Sequence, residues 1–75
     1  MDKEELKALI RKKKGTLKEY AKELGMTYMW LHNTIRAITG ETKTIIKEST
    51  ANKVLEPLGL EAVAKYTIEI RKKGE

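Results

Sequence analysis

Glycines at positions 15, 25, 40 and 59 cut this chain into short pieces, and almost every piece opens on a helix-start signal. That punctuation predicts a set of short helices. Asp2 is placed to cap the first, with Glu5 three positions later to complete a capping box. Leu6, Leu9 and Ile10 then fall at helical spacing, and the stripe ends in the basic run Arg11 to Lys14, which suits the negative end of a helix. Gly15 supplies a left-handed stop. Thr16 and Glu19 form a second capping box, and Leu17, Tyr20, Ala21 and Leu24 share one side of the helix that follows. Gly25 breaks that helix after barely two turns. Thr27 caps a third helix, with Leu31, Thr34, Ile35 and Ile38 on one face, until Gly40 stops it.

The second half is less sharply marked. Glu41 to Thr44 reads as loop, and Ile45-Ile46 as a dip into the core. Ser49 or Thr50 is the expected cap of a fourth helix running through Val54 and Leu55. Pro57 lacks a backbone donor, so a kink or a helix end belongs there. In the tail, Leu60, Val63, Ala64 and Ile68 fit a helix, while Ala62, Ala64, Tyr66, Ile68 and Ile70 alternate as a strand does. The β-branched and aromatic run Tyr-Thr-Ile-Glu-Ile favours a strand over residues 62–71. One strand cannot stand alone, so its expected partner is an extended stretch near residues 42–46 or a second chain. The fold class expected is therefore mainly α, a small bundle of four or five helices with a C-terminal β-strand, in a single domain over residues 1–75.

Composition narrows the function classes. Apolar residues make up 40% of the 75, enough for one core and not two. There is no Cys, which removes disulfide scaffolds and thiolate chemistry, and a lone His32 gives no ordinary metal site. No cofactor and no metal are expected. The carboxylates are scattered and no nucleophile–base constellation is visible, so the expectation is a non-enzyme. No apolar run reaches the roughly 18 residues of a membrane span, and the opening Met-Asp-Lys-Glu-Glu is unlike a signal peptide. A soluble, cytoplasmic chain without membrane contact is expected.

The net charge of +5 is unevenly placed. Residues 11–47 hold nine basic groups against three acidic ones, and the remainder holds seven against eight. All the excess positive charge lies in the middle of the chain, the electrostatic footprint of a nucleic-acid binder. A solvated lysine-rich face would have the same composition.

The middle also holds the most specific pattern. Two short helices meet at Ala21-x-x-x-Gly25, with the apolar Leu31 six positions on, which is helix-turn-helix spacing. Ala21 is small where the second helix crosses close over it, and Gly25 gives the positive dihedral angle of the tight turn. Leu24, Met26, Leu31 and Ile35 fill the angle between the helices. The stretch from Leu17 to Arg36, Leu-Lys-Glu-Tyr-Ala-Lys-Glu-Leu-Gly-Met-Thr-Tyr-Met-Trp-Leu-His-Asn-Thr-Ile-Arg, resembles the motif of the lambda repressor/Cro-like family, with the likeness covering residues 16–38. Leu55-x-x-Leu58-Gly59-Leu60 resembles the closing helix and turn of that family. Leu17 stands where the family often has Gln, Trp30 is larger than its usual counterpart, and the loop after Gly40 is longer.

The resemblance implies a sequence-specific double-stranded DNA-binding regulator, a Cro-like dimeric repressor with helix 27–38 in the major groove. The alternative it leaves open is a protein-interaction module, such as a toxin-neutralising antitoxin with autoregulatory DNA binding. On the wheel of the third helix, Met29, Asn33 and Arg36 point away from the core, with Tyr28 and His32 on one shoulder and Trp30 on the other. Asn33 suits a bidentate contact to adenine, and Arg36 a guanine or a phosphate. Met29 and Tyr28 suit a thymine methyl or the sugar–phosphate edge, and His32 is expected as an exposed donor to a base or phosphate. Trp30 is expected to pack on the first helix or the loop. By the resemblance, Thr16, Lys18, Lys22 and Thr27 meet phosphates, as do Lys43 and Lys47 in or near the loop after the third helix. Tyr66, Ile68 and Ile70 of the tail strand are the expected dimer contacts.

Overall fold

The computed structural model describes residues 1–42, 46–64 and 68–74. Four α-helices occupy most of the described chain: α1 (Lys3–Lys14), α2 (Leu17–Glu23), α3 (Tyr28–Ile38) and α4 (Glu48–Leu55). A short 3₁₀ turn (Glu56–Leu58) and two strands, β1 (Leu60–Ala64) and β2 (Ile68–Lys72), follow. The class is the expected one, mainly helical with a small sheet near the C-terminus. No described helix is long and apolar enough to cross a membrane.

The first three helices begin where their caps predict. The Asp2 carboxylate accepts the Glu5 N–H at 2.8 Å. Thr16 and Glu19 exchange both bonds of a capping box, each at 3.1 Å. The Thr27 hydroxyl oxygen accepts the Trp30 N–H at 3.0 Å. The fourth helix corrects the expected cap: it starts at Glu48, with Lys47 extended before it and no side-chain cap bond, rather than after Ser49 or Thr50. Ile46 packs against the core just upstream, which fixes the entry of the chain and leaves Glu48 to complement the helix dipole in the first turn. The helix ends at Leu55, and Pro57 sits in the 3₁₀ turn.

The tail corrects a second expectation. In place of one strand there are two, β1 and β2, which pair antiparallel with each other, Leu60 opposite Lys72 and Ala64 opposite Ile68. The hairpin lies on α4, where the Asn52 side-chain oxygen accepts the Ala62 N–H at 2.6 Å.

One core joins these parts. Leu6 and Ile10 of α1, Tyr20 and Ala21 of α2, and Leu31, Ile35 and Ile38 of α3 are all buried. They meet Ala51, Val54 and Leu55 of α4, with Leu58, Leu60 and Ala62 closing the far side. Lys13 of α1 donates to the Leu58 carbonyl at 3.1 Å, capping the 3₁₀ turn.

Tyr20 is fully buried, and its hydroxyl donates to the Val54 carbonyl at 2.5 Å. Burial, with a smaller push from the charge of Glu23, raises its phenol to about 12. Tyr20→Phe should cost about 1 kcal/mol in urea unfolding at pH 7. The folded-state value lies above the ordinary 10, so the neutral phenol's contribution is complete below pH 10 and lost as pH climbs through about 12. The gap between wild type and Tyr20→Phe should therefore stay constant up to pH 10 and shrink above it.

Candidate nucleic-acid interface

The unit formed by α2, its turn and α3 is fixed by backbone chemistry. The Met26 N–H reaches the Ala21 carbonyl at 2.9 Å and the Gly25 N–H the Lys22 carbonyl at 3.0 Å. This pair of bonds is a Schellman stop, and Gly25 takes the required left-handed conformation at φ +73°. A Cβ at Gly25 would meet nothing within 4 Å, so the constraint is the dihedral angle alone. Gly25→Ala should cost about 1–2 kcal/mol, read as a lowered urea midpoint with unchanged slope.

With Leu31, Thr34, Ile35 and Ile38 buried, α3 turns the opposite stripe outward. Met29 is 60% exposed and Asn33 is exposed on the same stripe, four residues on. Tyr28 is 46% exposed, and its ring stacks on His32 with centroids 6.0 Å apart and planes 15° from parallel. His32 is not the exposed side chain expected: it is half-buried, and its Nδ1 is sealed from solvent without a hydrogen-bond partner among the described residues. Any contact it makes outside the chain must run through Nε2. Trp30 is half-buried at the margin of the core, and the Lys53 Nζ of α4 stands 6.0 Å from its ring centroid.

Arg36 is half-buried and committed within the chain. Its Nε lies 3.6 Å from a Glu41 oxygen, while Lys3 of α1 holds the other oxygen of the same carboxylate at 2.9 Å. The hydrogen bond from Lys3 holds Glu41 below its ordinary value, with the charges of Lys3, Arg36 and Lys7 adding to that against a contrary push from desolvation. Glu41 is the residue the sequence reading missed. A readable signal existed: Gly40 makes a second Schellman stop, and its bond from the Glu41 N–H to the Arg36 carbonyl, 2.9 Å, brings the carboxylate back over Arg36.

On α2 the two charge signs separate. Glu23 turns toward α1, where it pairs with Lys14 at 3.5 Å, and Glu19 is spent on the Thr16 cap, which lowers its carboxyl from the ordinary value. Lys18 and Lys22 occupy the other flank, exposed, one helical turn apart and without an ion-pair partner among the described residues. Lys47 is exposed at the start of α4. Thr16 has its backbone N–H occupied by Glu19, and both Thr16 and Thr27 accept a cap bond. Each keeps its hydroxyl proton to donate. Of the expected dimer contacts, Ile70 is half-buried against its own core, and Ile68 enters β2 opposite Ala64. Lys43 and Tyr66 lie outside the described residues. Among the described residues, no group of three His, Cys, Asp or Glu side chains could hold a metal ion.

No known protein family, no curated protein and no solved structure matches this chain.

Proposed function

We propose that this protein is a sequence-specific double-stranded DNA-binding regulator of the lambda repressor/Cro-like kind, acting as a homodimeric repressor. The observation that carries the reading is the outward stripe of α3. Met29 and Asn33 stand exposed on a helix locked by the Gly25 turn, on a chain whose α2 offers Lys18 and Lys22 unpaired. An α-helix fits a major groove about 12 Å wide, where side chains such as Asn33 meet base edges. Lys18, Lys22, Lys47 and the hydroxyl protons of Thr16 and Thr27 meet phosphates, which set register without reading sequence. Arg36 reaches a phosphate or base by exchanging its Glu41 partner for it.

The dimer has a physical basis in the hairpin. The Lys73 N–H bonds to the Gly59 carbonyl at 3.0 Å, so with the observed register the backbone groups of Ile68, Ile70 and Lys72 face away from β1. Among the described residues nothing pairs with that outer edge, whereas the edge of β1 has the Ala62 N–H satisfied by Asn52. An open edge is a template for another strand, and a second copy offers an identical one. Two copies of a molecule measuring 31 × 26 × 21 Å are commensurate with half-sites one helical turn, roughly 34 Å, apart. Selection from a random double-stranded DNA pool at physiological salt tests both statements. An enriched inverted repeat is the expected result. A single unrepeated site would remove the dimer, and no enrichment would remove the DNA reading.

A further inference from the structure

On a surface dominated by charged side chains, α3 keeps two large apolar groups in water. Met29 at 60% exposure and Tyr28 at 46% sit together in its first turn. Leaving such groups in water has a cost that contact with another apolar group recovers. Among the described residues Met29 is outside the core, and those of α3 that are buried in it are Leu31, Thr34, Ile35 and Ile38. Around the helix, Met29 lies between the Tyr28–His32 stack and the amide of Asn33. The stack is a flat wall on one side, and Asn33 supplies a donor and an acceptor on the other.

The major groove presents few apolar features of matching size. The C5-methyl of thymine is the one that belongs to ordinary DNA, and adenine is the base whose edge an Asn amide matches with two bonds. Met29 and Asn33 are four residues apart, about 6 Å along the helix, or about two base steps of 3.4 Å. We infer that Met29 reads a thymine methyl within about two base pairs of an adenine read by Asn33, so that part of the sequence preference resides in a methyl group. This deepens the DNA-binding reading and rests on it.

The test changes the DNA and leaves the protein intact. Each thymine of the selected site is replaced singly by deoxyuridine, which removes the methyl and keeps every hydrogen-bonding group. Binding is measured by fluorescence anisotropy with wild type, Met29→Ala and Asn33→Ala. One thymine per half-site should lose about fourfold in affinity for wild type, the value of one buried methyl-sized group. The same replacement should have no effect on Met29→Ala, and the sensitive thymine should lie within two base pairs of the position where Asn33→Ala loses its adenine preference. The inference is overturned, with the DNA reading intact, if a sequence is enriched but no thymine is methyl-sensitive. It is equally overturned if Met29→Ala shows the same loss as wild type. Failure to enrich any sequence overturns both.

Discussion

Leu31→Ala should remove a large part of the domain's stability, among the largest losses expected for a single side chain of α3. Leu31 is completely buried where α3 meets the rest of the core. Removing a buried leucine side chain and leaving a cavity costs about 2–5 kcal/mol. A chain of this length has about 4–11 kcal/mol in total, at typical stability per residue. The melting temperature followed by circular dichroism should fall by roughly 10–30 °C. Met29→Ala, two positions away on the same helix, should change stability by less than about 0.5 kcal/mol because Met29 is largely exposed. The contrast matters more than either value. It tests the rotation of α3 about its own axis, on which every statement about what that helix presents outward depends. Equal losses in the two variants would mean the helix is turned differently.

That rotation was legible in the sequence because several local signals agreed. Thr27 and Gly40 bound the helix, and four apolar or small positions at helical spacing fixed its inner face. The same agreement located α1 and α2, each between a capping residue and a glycine. Where the signals were tertiary, the reading failed. Lys47 begins α4 without a side-chain cap because Ile46 anchors the chain, and no local preference announces an anchor. The sequence reads as one strand because no Gly, Pro, Asn or Asp occurs between Ala62 and Ile70 to mark a turn. The strand character was right and the reversal invisible. The approach of Lys53 to the Trp30 ring is likewise a pairing of residues distant in sequence. The candidate site is therefore legible in its outward stripe and hidden in its intramolecular commitments, above all the hold of Glu41 on Arg36.

Those commitments divide the lysines of the basic middle segment into two groups with opposite expected behaviour. Lys18 and Lys22 have no ion-pair partner among the described residues, so their charge is available to a phosphate. Lys13 is spent on the Leu58 carbonyl and Lys14 on Glu23. Each phosphate contact releases counterions and contributes about −0.9 to the slope of log K against log salt. The double variant Lys18→Ala, Lys22→Ala should therefore flatten that slope by about 1.8 and weaken binding about thirtyfold at 0.15 M salt. The loss should be the same for the selected site and for unrelated duplexes, since phosphates carry no sequence. Lys13→Ala should leave the slope nearly unchanged and instead lower the unfolding midpoint, because it leaves the end of the 3₁₀ turn uncapped. Asn33→Ala should do neither, altering preference at one base position at constant slope. These three profiles are independent readouts of backbone contact, fold and base contact. If the double lysine variant kept the wild-type slope, α2 would not lie along the DNA backbone, and the docking proposed for α3 would fall with it.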